Sequence, residues 1–188
     1  MTEADPPRID PVRRSEATGE QLAVLEPLGP MGELNIFSTL AVHPKLMRSW
    51  LPFGGRLLQG SSLPARTREV VILRTAARCG SDYEWGQHVA IGLDAGLTEV
   101  EIVACSRPTG DHPWSAADRA VLVAVDEVVG DHVISGSTWS QLVDSGLGDS
   151  QLIELTMLAG HYAMLAGMLR SVGVLTEGPM PAIGGTEP

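Results

Sequence analysis

Aromatic residues are scarce in this chain: four Trp, two Tyr and two Phe amount to 4% of 188 residues. Aliphatic side chains and methionine must therefore fill most of any core. Cysteine is scarcer still. Cys79 and Cys105 form neither a CxxC pair nor a metal-type cluster, which argues against a disulfide framework and fits a reducing cytoplasm. Positive charge is also in short supply. Thirteen Lys+Arg face 23 Asp+Glu, for a net charge of −10, and Lys45 is the only lysine. Such a chain is repelled by nucleic acid and by anionic membrane. No run of ~18 apolar residues is found, so no membrane-spanning helix is expected. The first twenty residues are charged and proline-bearing, without the apolar stretch of a secretory leader.

What is present is a foldable chain, with 44% hydrophobic and 19% charged residues. Pro6, Pro7, Pro11, Pro27 and Pro30 predict an irregular N-terminal arm over residues 1–30. Pro179, Pro181 and the Gly184-Gly185 pair predict an irregular tail over 175–188. Between them, residues 31–174 read as helical. Asn35 is placed to cap a short helix, and Pro44 suits the first turn of a second, which Pro52 should kink. Pro64 opens a third helix reaching Arg78. Ser81 with Glu84 has the spacing of a capping box, and Thr98 with Glu101 repeats it. Ser115, Ser137 and Asp149 open three more helices. In the last, Leu155, Leu158, Ala159, Tyr162, Leu165, Ala166 and Leu169 keep 3–4 spacing for two heptads. That stripe predicts a helix at the centre of a bundle or at a subunit contact. Met157, Met164 and Met168 add apolar surface on other faces. Alternating strand patterns are nearly absent, so the expected fold class is all-α.

Chemistry concentrates around residues 78–88. Glu84 and His88 lie four apart, on one face of one helix. A carboxylate one turn from an imidazole can orient it and form an acid/base pair. From spacing alone, the structural reading ranks ahead: Glu84 bonds the start of its own helix and His88 is a half-buried core residue. Tyr83 and Trp85 flank the pair. Arg74, in an apolar stretch, either pairs with an acid such as Glu84 or clamps a substrate carboxylate. His161 lies among Gly160, Ala163 and Gly167, where it is either a core histidine or part of a pocket. Glu84, His88 and His161 could in principle form a His2Glu metal set, but no metal is expected.

Three stretches occur in order: Arg68-Glu-Val-Val-Ile-Leu-Arg-Thr-Ala76, Cys79-Gly-Ser-Asp-Tyr-Glu-Trp-Gly-Gln-His88, and Gly92-Leu-Asp-Ala-Gly-Leu-Thr-Glu-Val-Glu-Ile102. Together with Glu154–Gly167 they resemble the carboxymuconolactone decarboxylase family, whose superfamily includes the AhpD-type alkylhydroperoxidases. The resemblance covers about residues 35–175. It implies an AhpD-like helical bundle that assembles as homo-oligomers, commonly trimers or hexamers, with pockets near subunit contacts. Decarboxylases of the family need no metal or organic cofactor, and their motif keeps the Glu–His pair that Glu84 and His88 match. The peroxidase branch instead carries Cys-x-x-Cys-x-x-x-His. Counted back from His88, those cysteine positions hold Ser81 and Glu84. A thiol relay needs both a nucleophilic and a resolving thiol, so thiol peroxidase activity is not expected.

The resulting expectation is a cytoplasmic, cofactor-free lyase acting by proton transfer on a small carboxylated or lactone-type organic acid. His88 would donate the proton, Glu84 would orient it, and Arg74, Tyr83, Trp85 and His161 would bind substrate. The alternative is a non-catalytic small-molecule-binding or assembly protein on the same fold.

Overall fold

The computed structural model describes residues 6–188, so the first five residues of the predicted N-terminal arm lie outside it. The described residues are helical and contain no strand. Nine α-helices run in order: α1 (Gly19–Leu25), α2 (Asn35–Leu40), α3 (Pro44–Leu58), α4 (Ala65–Cys79), α5 (Asp82–Asp94), α6 (Glu99–Cys105), α7 (Ala116–Asp131), α8 (Gly136–Asp144) and α9 (Asp149–Val172).

Helix α4 is the hub and packs against α5, α7 and α9. Every residue from Glu69 to Ala76 is buried, so this helix has no solvent face over two turns. Of the two placements expected for the most periodic helix, α9, the bundle centre is taken by α4, against which α9 packs. Helix α9 buries one stripe, including Leu155, Leu158, Leu165 and Leu169, while Ile153, Met157 and Met164 are exposed. By length and composition α9 would pass for a membrane span, with an 18-residue window of mean hydropathy 1.4. This qualifies the expectation that no such run exists. Half of that window is buried inside the fold.

Local signals explain most boundaries. Thr98 caps α6 and Glu101 returns the bond, completing the capping box. Helix α5 ends at Gly96, whose φ of 90° suits glycine, and Leu97 N–H closes back on the Gly92 carbonyl. Ser115 caps α7. Helix α8 begins at Gly136, one residue before the predicted start at Ser137, because Ser135 caps it. Asn35 is the first residue of α2 rather than its cap. Helix α3 continues through Pro52.

The N-terminal arm is more ordered than its prolines suggest. Thr18 and Gln21 form a full capping box that starts α1, and a 3-10 segment follows from Glu26 to Glu33. Val24 and Leu25 of α1 pack with Ala41 and Met47 as a small second core. The tail beyond Gly173 is irregular, as predicted, but it is laid back across α5. Trp85 Nε1 donates to the Gly185 carbonyl at 3.0 Å, and Ile183 N–H donates to Asp82 at 3.0 Å. The 3-10 segment, α2, α3, α5 and α9 line a cavity.

Candidate functional site

The cavity has a volume of about 310 Å³ and a mainly apolar wall. Leu28, Ile36, Phe37, Trp50 and Leu165 supply much of that wall, and Tyr83, Glu84, Gln87, His88, His161 and Tyr162 supply its polar groups. No lysine or arginine lines it.

Helix α5 brings Glu84 and His88 to the same wall, as their spacing predicted. Their expected partnership is replaced by another. His88 Nδ1 lies 2.7 Å from Glu69 Oε2, across the α4–α5 interface. The other Glu69 oxygen accepts from Arg68 Nε at 2.9 Å. A carboxylate only accepts, so Nδ1 carries the ring proton and Nε2 presents its lone pair. Tyr162 Oη sits 3.0 Å from Nε2 and donates to it. The line Arg68–Glu69–His88–Tyr162 therefore fixes the imidazole from both sides. Burial, chiefly, pushes the Tyr162 phenol well above its ordinary range, so it remains protonated.

Glu84 is neither a capping residue nor the orienter of His88. Ser81 occupies the N-cap without a side-chain cap bond. Both Glu84 oxygens are buried without a hydrogen-bond partner, as is Ser81 Oγ. Glu84 lines the cavity wall. Burial pushes the Glu84 carboxyl up to about 8, and the nearby Ser81 hydroxyl, out of good hydrogen-bond geometry, offsets only part of this. The positive end of α5 favours an anion by about 0.3–1 kcal/mol. Burying an unpaired carboxylate costs several times that, ~several kcal/mol, so the neutral acid is favoured near pH 7.

Arg74 is corrected from clamp to strut. Its guanidinium pairs bidentately with Asp126 at 2.7 and 2.6 Å, and it also donates to the Cys105 and Arg107 carbonyls and to Thr109. All five of its N–H groups are thereby occupied, and it lies off the cavity wall. Trp85 is likewise a core residue, fully buried with its N–H held by Gly185. Tyr83 does line the cavity, and its hydroxyl donates to Glu177 at 2.6 Å and accepts from Ile36 N–H. His161 also lines it, with Nδ1 unpartnered; burial lowers its pKa to about 4, so the ring is neutral. Among the described residues, no group of three or more His, Cys, Asp or Glu is placed to hold a metal. Cys105 is buried, and burial pushes its thiol up to about 12. Cys79 is half-buried, with its thiol also raised, chiefly by burial.

Glu69 and Tyr162 were not among the predicted site residues. Two signals pointed to them. Glu69 directly precedes the apolar run 70–73 of a helix, and Tyr162 adjoins His161 on the same helix.

These motifs match a known family model over residues 44–127, described as the carboxymuconolactone decarboxylase family. This central segment is therefore similar to the carboxymuconolactone decarboxylase family. Solved structures share its AhpD-like fold. An uncharacterized peroxidase-related protein with an alkylhydroperoxidase AhpD core, from Ralstonia eutropha JMP134, superposes with a TM-score of 0.78 at 18% identity, covering 93% of this chain and 94% of that one. A peroxidase-related protein from Silicibacter sp. TM1040 gives 0.72 at 15% identity, covering 92% and 90%. The debrominase Bmp8, solved in complex with 2,3,4-tribromopyrrole, gives 0.74 at 13% identity, covering 93% and 94%. At these identities the likeness is one of fold. No curated protein sequence matches the chain.

Proposed function

We propose that this chain is a cofactor-free, lyase-type enzyme that protonates carbon on a small, largely apolar organic acid of lactone or ring-carboxylate type. The observation that carries the proposal is Glu84: 3% exposed, both oxygens unpartnered, on the cavity wall one helical turn from His88. In decarboxylation the bond from carbon to the carboxylate breaks, CO2 leaves, and its electron pair stays on the substrate as a dienolate. Glu84 then gives its proton to carbon and becomes the anion. Glu84 regains its proton from water as product leaves, and His88, fixed by Glu69 and Tyr162, lines the same wall. This moves the donor role to Glu84 from the assignment expected from spacing, where His88 was the donor and Glu84 the orienter. A wall without basic side chains also suits the reaction. A localised carboxylate is poorly solvated there, while the charge of the departing state is spread over the ring. The complex of Bmp8 with a small aromatic ring is consistent with this fold holding such molecules.

The test is CO2 release from a panel of ring lactones and ring carboxylates. Glu84→Gln should lower turnover by ~10²–10⁴-fold with an unchanged far-UV spectrum. Wild-type activity should fall as pH rises past about 8, where Glu84 loses its proton. A Glu84→Gln protein that turns over at the wild-type rate would contradict the proposal.

A further inference from the structure

The proton-transfer reading uses one end of the cavity and leaves a second polar end without a role. The Tyr162 ring stands between two imidazoles. Its centroid is 5.2 Å from that of His88 and 5.6 Å from that of His161. Beyond it, His161 is stacked on Trp50 at 5.8 Å with an interplanar angle of 13°, and meets Phe53 edge-on at 5.2 Å. His161 is 6% exposed, and its Nδ1 is buried without a partner. The indole Nε1 of Trp50 is also buried without a partner. Both residues line the same cavity as Glu84 and His88. Two neighbouring buried nitrogens left unpaired on a cavity wall are the mark of a recognition site waiting for a ligand atom.

We propose that the Trp50–His161 end is a specificity subsite for an uncharged oxygen, a hydroxyl or ring carbonyl, carried on a flat apolar ring, and that it rejects a carboxylate. An indole N–H only donates, so the group it meets must accept. A hydroxyl can accept from Trp50 and donate to an imidazole nitrogen, and a carbonyl can accept from both when the imidazole presents its N–H. His161 supplies no positive charge, because burial keeps it neutral. No other lining residue supplies one either. A carboxylate placed there would lose its hydration for no compensating cation. Gly54 keeps the subsite open: a Cβ at that position would lie 3.3 Å from the Trp50 ring and 3.5 Å from His161 Nε2. The inference rests on the cavity being the substrate site and narrows the substrate to a ring with an uncharged oxygen remote from the reacting carbon.

The test uses three probes of similar size on the full chain, phenol, toluene and benzoate, followed by the indole N–H resonance of Trp50. Phenol should shift that resonance and bind ~10-fold more tightly than toluene, with benzoate weaker than phenol. His161→Phe keeps a ring on Trp50 but removes the nitrogens, and should cut phenol affinity to that of toluene. Trp50→Phe removes the N–H and, with affinities of wild type and variant read by calorimetry, should do the same, which keeps the test intact if one variant fails to fold. Glu84→Gln should retain the phenol preference, so this test stands or falls separately from the turnover test. Equal binding of phenol and toluene, benzoate binding as tightly as phenol, no shift with any probe, or a phenol preference that survives His161→Phe or Trp50→Phe would each overturn the inference.

Discussion

Glu69 and Glu84 are both buried carboxyl residues, on adjacent helices, and their surroundings give them opposite tasks. Glu69 is fully buried with an oxygen on Arg68 and an oxygen on His88. Glu84 is nearly as buried and has neither oxygen bonded. A carboxyl group bonded on both oxygens can hold a ring in place, whereas burial without partners pushes Glu84 toward its neutral form. The spacing of Glu84 and His88 correctly placed both on one wall. It could not reveal that the carboxyl on His88 comes from 19 residues away, because periodicity reports only neighbours on the same helix. For Arg74 the choice between ion pair and clamp was open in the sequence, and the partner, Asp126, lies on α7. A residue-level prediction follows from the Glu69 contact. Ring 15N shifts should show His88 as the Nδ1–H tautomer in the wild type and in Glu84→Gln. Glu69→Gln should lose that tautomer preference and about 1–3 kcal/mol of stability. If Glu84→Gln changed the tautomer and Glu69→Gln did not, the orienting role would return to Glu84.

At the scale of elements, the helix starts and stops were legible because caps are local chemistry. Thr98, Glu101, Ser115 and Gly96 behave as their types demand. The centrality of α4 was hidden by its charges. Glu69 and Arg74 lower its apparent hydrophobicity, yet both are buried with partners on other helices. The terminal segments were misjudged for a related reason. Proline ends helices but does not prevent a segment from docking. The tail is held by Glu177, which accepts from Tyr83 Oη, Gln87 Nε2 and the Asn35 N–H at 2.6, 2.9 and 2.6 Å. Asn35 Nδ2 adds a bond to the Leu175 carbonyl. Gly86 lets the tail approach α5, since a Cβ there would lie 2.8 Å from Met180 Cβ. Glu177 thus ties α2 to α5 at the cavity wall. Glu177→Ala should cost about 1 kcal/mol for these partly exposed bonds and should speed proteolytic removal of the residues after Gly173. An unchanged cleavage rate would mean that the strap is held by its apolar contacts instead.

For the molecule as a whole, the all-α class and the family likeness were readable from the motifs, because helix periodicity and ordered spacing survive without structural knowledge. The cavity was not readable. Its wall comes from the 3-10 segment, α2, α3, α5 and α9, and only folding brings these together. The fold also carries a thermodynamic signature of its site. Glu84 has a folded-state pKa raised above its unfolded value of 4.5, to about 8. Between those values the folded chain keeps a proton that the unfolded chain releases. This contribution therefore lowers stability as pH rises, by about 1.4 kcal/mol per pH unit across that window. The fold holds Glu84 as a neutral acid on the same wall as an imidazole fixed by Glu69. The most direct measurement is a 13C NMR titration of the Glu84 side-chain carboxyl in the folded protein, assigned with Glu84→Gln. The account predicts a midpoint near 8; a midpoint near 4.5 would show an ordinary ionised carboxylate and contradict it.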